Sequence, residues 1–120
     1  MSTVAESRAA LEAVLVAGGV RVLPQGAASP PSVFVAPGNS WLTPSQLAFG
    51  SVEVNWVVVC IVSSSNEVSV SEIDKLAQSV MVACNALPNG WGSPNIGAPG
   101  MLTLAGLPYL AFRAELKGVL

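Results

Sequence analysis

The acidic and basic residues of this 120-residue chain are confined to a few segments. No Asp, Glu, Lys or Arg occurs between Arg21 and Glu53, or between Lys75 and Arg113. Charged residues make up 10% of the chain, against about 25% in an ordinary soluble domain. Uncharged stretches of this length leave large apolar surfaces, which usually mark contacts with other proteins. Because permanent subunit interfaces resemble cut cores and are poor in charge, we predict a self-assembling subunit.

Length and hydropathy predict a single domain, 1–120, that lies outside membranes. A chain of 120 residues is long enough to bury a core without metals or several disulfides. The longest apolar run, 57–62, has the length of a strand and is far short of a membrane span. The N-terminus lacks the basic-then-apolar layout of a secretory signal, so an intracellular location is expected.

Two segments have helical patterns. Thr3 and Glu6 have capping-box spacing, and apolar residues at helical spacing continue to Gly18, which predicts a helix over 3–17. Residues 71–74 offer a second cap, and 88–90 end the helix that follows. That helix carries one apolar stripe: Ile73, Leu76, Ala77, Val80, Ala83, Cys84 and Leu87. A single stripe is typical of a helix that packs on one face of a sheet.

Strand patterns occur in five segments: 20–23, 32–36, 51–63, 101–104 and 109–116. The first two are predicted to pair antiparallel, and 105–108 is predicted to be a turn. Segment 51–63 is apolar at every even position, whereas its odd positions change from polar to apolar, so its far end should be covered on both faces. The predicted fold is α+β, in two layers: a mixed or antiparallel sheet of four to five strands with both helices on one face, in the order α-β-β-β-α-β-β.

The residues needed for catalysis are scarce. The chain has no histidine, so Ser-His and Cys-His pairs are excluded, and two cysteines cannot complete a zinc site. No glycine-rich phosphate loop is present. Cys60 and Cys84 lie in apolar runs and are predicted to be buried thiols, and Glu53 is expected to pair with Arg113 across the sheet. We predict no enzyme activity, no cofactor and no metal.

The charge balance also excludes sequence-specific nucleic-acid binding. Five basic residues are scattered through a chain of net charge −2, whereas phosphate contacts require a clustered basic footprint. The tryptophans lie among apolar residues rather than between Arg and Lys, as a base-stacking groove would require.

Two loop-like segments, 36–50 and 88–100, contain large apolar side chains although loops normally lie in water. These side chains are Trp41, Leu42, Leu47 and Phe49 in the first segment and Trp91 and Ile96 in the second. They either fold back over their own sheet or contact a neighbouring subunit. Burying the four in the first segment contributes roughly 6–12 kcal/mol, and ordering a loop costs about 1–2 kcal/mol per residue. Because a partner surface would add contacts, we predict that all six are interface residues.

The order of these patterns resembles the small tail terminator proteins of long-tailed (siphovirus-type) bacteriophages, particularly those of actinobacteria. The resemblance covers nearly the whole chain. It rests on ALEAVLVAGGVRVLP (10–24), PPSVFVAPGNSWLTP (30–44), VNWVVVCIV (54–62), SEIDKLAQSVMVACNALPNGW (71–91) and APGMLTLAGLPYLAFRAEL (98–116).

The resemblance implies a virion structural protein of the neck region, assembled in the host cytoplasm. Tail terminators form a hexameric ring on the head-proximal end of the tail tube, where they stop polymerisation and receive the head-completion proteins. The partners implied are other copies of the chain, the tail tube protein and a head-completion or stopper protein. Double-stranded DNA passes through the lumen without being read, and Glu53, Glu67 or Glu115 are candidates to line it.

Two alternatives remain open. Another neck protein, such as a head-completion, stopper or adaptor subunit, would share the size, the symmetry and the lack of catalytic groups. A small dimeric ligand-binding α+β domain would instead use its aromatic loops to line an apolar pocket.

Overall fold

The computed structural model describes residues 3–24, 31–44, 52–63, 70–88, 91–104 and 106–119. Its elements are α1 (Val4–Ala17), β1 (Ser32–Pro44), β2 (Val52–Ser63), α2 (Val70–Cys84), β3 (Asn95–Ile96), β4 (Gly100–Leu104) and β5 (Leu107–Val119). The strands form one antiparallel sheet in the order β1-β2-β5-β3, and β4 also pairs with β5. The predicted α+β class is therefore confirmed.

Helix α1 begins with the predicted capping box. The Thr3 hydroxyl accepts a hydrogen bond from the N–H of Glu6 at 3.1 Å, and the Glu6 carboxylate accepts one from the N–H of Thr3. The helix ends where the Gly18 N–H donates to the Val14 carbonyl at 3.0 Å. Gly19 follows with φ +85°, a backbone conformation that residues other than glycine rarely adopt.

Helix α2 ends at Cys84, three residues before the predicted end at Leu87. The N–H groups of Ala86 and Leu87 donate to carbonyls three residues back, both at 3.1 Å. These tightened turns close the helix before the Pro88 that the sequence indicated as its stop.

The two helices meet near their C-terminal ends, where Gly18 lies against Ala83. A Cβ placed on Gly18 would stand 2.6 Å from the Ala83 Cβ and 3.2 Å from the Ala83 Cα. Glycine is therefore the residue that permits this approach, because real Cβ atoms do not come within 3.0 Å of such neighbours.

The main core lies between the helices and one face of the sheet, which we call the helix face. From Val54 onward the even positions of β2 are buried there, with Trp56 completely inaccessible, and Leu11, Leu15 and Val80 of the helices pack against them. On the opposite sheet face a second cluster is buried: Phe34, Val59, Ile61, Tyr109 and Ala111. The prediction that β2 is covered on both faces toward its end is thus confirmed.

Segment 20–23 does not form the predicted antiparallel strand. It makes one parallel bridge, between Val22 and Val33. The Val33 N–H donates to the Arg21 carbonyl and the Leu23 N–H donates to the Val33 carbonyl, both at 2.8 Å. Residues 20–23 therefore run parallel to β1. The observed order of elements is α-β-β-α-β-β-β, which differs from the predicted α-β-β-β-α-β-β.

Part of the predicted loop 36–50 is strand. β1 continues to Pro44 and pairs with β2 on both sides of an irregularity between Pro37 and Leu42. The Asn55 side-chain amide donates to the Ser40 carbonyl and holds the irregular segment to β2. The sequence pattern did not predict this part of β1 as a strand, because the irregularity interrupts the alternation of side chains.

The predicted turn 105–108 is shorter than expected. Leu107 and Pro108 belong to β5, and Leu104 pairs with Leu107 across a two-residue connection in which Gly106 has φ +80°. Such tight hairpins require positive φ, which glycine provides. The second loop-like segment, 88–100, contains the short strand β3.

The predicted pairing of Glu53 with Arg113 is wrong. Both residues lie on the sheet face opposite the helices, but Glu53 stands opposite Val119 and Arg113 opposite Val59. Six residues of β5 separate these positions, a distance of about 20 Å. Of the helices that the structure describes, none combines the length and apolar composition needed to cross a bilayer.

Candidate interaction surfaces

Trp56 is the centre of a cluster that joins α1 to the sheet. Its indole N–H donates to the Ser7 hydroxyl at 3.0 Å in a buried site, and the Arg8 guanidinium carbon lies 4.9 Å from the ring centroid. The Trp41 ring meets the Trp56 ring edge to face, with centroids 6.0 Å apart and planes at 68°. Such contacts stabilise beyond the area they bury.

Trp41 folds back in part on its own sheet, and its predicted interface role stays a prediction. One side contacts Trp56 of its own chain, yet the residue remains 38% exposed, and its neighbour Leu42 is 44% exposed. Val52 on the adjoining strand is also exposed and lies diagonally from Leu42 on the helix face. We call Trp41, Leu42 and Val52 the tryptophan end. Their apolar surface faces solvent in the single chain.

Trp91 and Ile96 are half-buried against the chain's own core. Trp91 forms an antiparallel bridge with Gly118, and the Gly92 N–H donates to the Lys117 carbonyl at 2.8 Å. A Cβ on Gly118 would stand 3.2 Å from two carbons of the indole ring, so the glycine lets the ring lie close to the backbone. Ile96 pairs with Ala114 in β3. Their predicted interface role stays a prediction.

Leu47 and Phe49, the other two predicted interface residues, lie outside the described residues. The structure therefore brings Trp41 and Leu42 together at one end of the sheet and places Trp91 and Ile96 along the outer side of β5.

A second exposed apolar surface lies on the β4–β5 hairpin. Met101 is 56% exposed and Leu107 is 57% exposed, and Leu102 and Leu104 beside them are half-buried. Leu102, Leu104 and Leu107 lie on the sheet face opposite the helices, whereas Met101 lies on the helix face. We call these four residues, which share one end of the sheet, the hairpin surface. It lies at the N-terminal end of β5, whereas the tryptophan end lies beside the C-terminal end of β5, where Leu42 pairs with Val54 and Val54 with Gly118. Eleven residues of β5 separate the two surfaces, about 36 Å.

Three exposed apolar residues lie on the helices: Val16 on α1, and Met81 and Val82 on α2. The two on α2 fall outside the apolar stripe that predicted this helix, so the sequence contained a signal for them. The interface residues were predicted only from loop-like segments. That reasoning missed the three helical residues and also Val52, Met101 and Leu107, because all six lie in helices or strands.

The charged residues of β5 lie on the sheet face opposite the helices. Arg113, Glu115 and Lys117 occupy alternate positions and are exposed. Glu53 of β2 is on the same face, so two of the three lumen candidates share one face of the sheet. The third, Glu67, lies outside the described residues.

The two cysteines are buried free thiols, as predicted. Burial raises the pKa of Cys60 from its ordinary value of 9.0 to about 12, and the nearby Cys84 adds to this effect. Burial also raises the pKa of Cys84. Both groups therefore stay protonated at neutral pH and are poor nucleophiles.

Within the described ranges, no group of three or more His, Cys, Asp or Glu side chains is placed to hold a metal ion. The chain matches no known protein-family model, and no curated protein matches its sequence.

Proposed function

We propose that this chain is a structural subunit of a phage tail, which forms a hexameric ring that ends the tail tube and receives the head-completion proteins. The observation that carries the proposal is the exposure of two different apolar surfaces, the tryptophan end and the hairpin surface, at opposite ends of β5. A closed ring joins its subunits head to tail, so each copy needs two distinct contact surfaces.

The distribution of charge supports the same proposal. Both surfaces lie in sequence segments without charge, and uncharged, apolar contact surfaces are typical of permanent assemblies. In the ring, the tail tube protein and a head-completion or stopper protein would bind the two rims. DNA would pass through the lumen without sequence-specific contacts.

The first experiment measures the mass of the purified chain over a range of concentrations and images the particles. A six-subunit ring is expected. A chain that remains monomeric at high concentration contradicts the proposal, and a tight dimer that retains a small molecule supports the ligand-binding alternative.

Trp41→Ala and Leu42→Ala test the tryptophan end. Leu42 has no described contact with Trp56, so its truncation should weaken ring assembly at least tenfold while the melting temperature of the monomer stays within a few degrees. Trp41→Ala should weaken assembly and also destabilise the monomer, because it removes the contact with Trp56. Val16→Ala, the truncation of a more exposed apolar residue on the helix layer, is the control and should leave assembly unchanged.

A tail-assembly experiment separates the terminator from other neck proteins. Particles produced without this chain should have tails of uncontrolled length. Tails of normal length that fail to join heads would instead identify a stopper or adaptor.

A further inference from the structure

The outer edge of β4 presents unpaired backbone groups. Thr103 stands opposite Pro108, which has no N–H, so Leu102 and Leu104 must be the residues that exchange hydrogen bonds with β5. The N–H and C=O groups of Met101 and Thr103 consequently point away from the sheet. Among the hydrogen bonds that described residues make outside the strand pairings, none involves these groups. Unpaired groups of this kind are a template for another strand.

The opposite edge of the sheet is protected, which makes the open edge of β4 distinctive. On β1, the outward groups of Val33 bond to Arg21 and Leu23, and Pro37 has no N–H to offer. The irregularity between Pro37 and Leu42 then interrupts the edge. Proline, irregularities and covering segments are the devices by which proteins blunt a sheet edge. β4, with the sequence GMLTL, has neither a proline nor a charge.

A groove adjoins this edge beside residues 97–99, which connect β3 to β4. Its volume is about 390 Å³, and Asn95, Gly97, Gly100, Arg113 and Glu115 are among the residues that line it. A Cβ on Gly100 would meet no atom within 4 Å, so the groove is open beside the start of β4. Arg113 and Glu115 are exposed, and neither forms an ion pair with a described residue. One guanidinium and one carboxylate together suit a neutral side chain that both donates and accepts hydrogen bonds.

We propose that the outer edge of β4 binds an extended, uncharged segment of another protein by strand addition, with a side-chain amide of that segment in the groove beside Gly100. The backbone groups of Met101 and Thr103 supply the hydrogen bonds, and the groove selects the side chain that alternation places beside it. This site goes beyond ring formation: it uses the outward backbone groups of β4, whereas the proposed ring contact uses the apolar side chains of the same strand.

A second copy of the chain fits the site less well than a different protein. If two β4 strands paired about a two-fold axis at Leu102, the Leu104 of the second copy would lie beside Gly100. An apolar side chain there would offer no hydrogen bond to Arg113 or Glu115, whereas a side-chain amide could bond to both. The partner segment is therefore expected to carry Asn or Gln at this position.

The test uses the full chain and an end-blocked peptide of alternating valine and threonine with one central glutamine. Amide hydrogen exchange is followed by NMR. In the free protein, the N–H groups of Met101 and Thr103 should exchange fast and those of Leu102 and Leu104 slowly. The peptide should slow the exchange of Met101 and Thr103 at least tenfold.

Met101→Pro is the decisive variant, because it removes an outward N–H and leaves the bonds between β4 and β5 in place. It should weaken peptide binding at least tenfold, whereas Met101→Thr, which keeps the N–H, should bind within threefold of the native protein. Thr103→Pro provides a second, independent removal of an outward N–H. Replacing the glutamine of the peptide by valine should weaken binding about fivefold to tenfold, and Arg113→Gln should remove most of that difference.

Three outcomes would overturn the proposal. The first is equal binding by Met101→Pro and Met101→Thr, with both variants folded. The second is protection of the outward amides in the free protein together with a dimer mass, which would show that a second copy occupies the edge. The third is peptide protection at Val35 or Leu42 of β1 instead of β4. Failure to form a ring would leave each of these readouts intact.

Discussion

The close approach of α1 and α2 predicts a large effect for a small substitution, Gly18→Ala. The added Cβ would lie 2.6 Å from the Ala83 Cβ and 3.2 Å from its Cα. Neither atom is the end of a flexible side chain, so relief requires the helices to move apart. Gly18 has φ −81°, which alanine adopts without strain, so the substitution isolates the steric contact.

Two effects of opposite sign determine the magnitude. Overpacking of this kind costs about 1–3 kcal/mol. Replacing glycine by alanine also restricts the unfolded chain, which stabilises the folded state by about 0.4–1 kcal/mol. The difference between the two effects is a fall in the free energy of unfolding of about 0–2.6 kcal/mol, and relative to another glycine-to-alanine substitution without a clash the fall is the full steric cost of about 1–3 kcal/mol. For a domain of this size the melting temperature should decrease by about 3–5 °C for each kcal/mol.

Denaturant unfolding followed by circular dichroism measures this change, at a concentration where assembly does not contribute. Gly100→Ala is the matched control, because its Cβ meets no atom within 4 Å and its φ is not positive. It should be neutral or slightly stabilising. Adding Ala83→Gly to Gly18→Ala should cost less than Ala83→Gly alone, because the second substitution removes one of the clashing atoms. A Gly18→Ala protein as stable as the Gly100→Ala protein would refute the helix contact.

Two further predictions concern buried polar groups. Ser7→Ala should lower the free energy of unfolding by about 1–3 kcal/mol, because the buried Trp56 N–H loses its acceptor. Ser79→Ala is the control. The Ser79 hydroxyl donates within an exposed turn of α2, so its removal should lower the free energy of unfolding by less than about 1 kcal/mol. The raised pKa of Cys60 contributes stability that is complete below the ordinary pKa of 9.0 and is lost as the pH rises toward about 12. The native protein should therefore lose stability over this pH window, and Cys60→Ala should reduce the pH dependence of its free energy of unfolding. Both thiols should also resist alkylation at pH 8 unless denaturant is added. Rapid alkylation of the native protein at pH 8 would contradict this reasoning.

The sequence predicted those elements whose pattern is local and regular. The capping box of α1, the one-sided stripe of α2 and the alternation in β2 each depend on residues close together along the chain, and each was confirmed. The end of α2 was misjudged because the choice between α-helical and tighter turns at Ala86 depends on hydrogen bonds that the stripe does not reveal.

The errors share a cause in long-range backbone pairing. The parallel bridge at Val22 and the continuation of β1 past Pro37 both depend on which strand lies alongside, and composition alone indicated a loop in the second case. Trp41 was recognised from its apolar character in that segment, but its contact with Trp56 was not, because the register that brings them together crosses the irregularity. Met101 and Leu107 were missed because alternation identifies a face without indicating whether anything covers it.

The placement of charge explains why the exposed apolar residues matter. An isolated exposed apolar side chain is ordinary, but the hairpin surface and both Trp41 and Leu42 of the tryptophan end lie inside long stretches of the chain without charge. The exposed charges of β5 lie instead on the sheet face opposite the helices, at Arg113, Glu115 and Lys117. In the proposed ring, the two ends would contact neighbouring copies, and the charged face between them would take no part in those contacts. Charge reversal at Glu115 should accordingly leave assembly intact, while a single lysine at Leu42 should abolish it, because assembly would bury an unpaired charge.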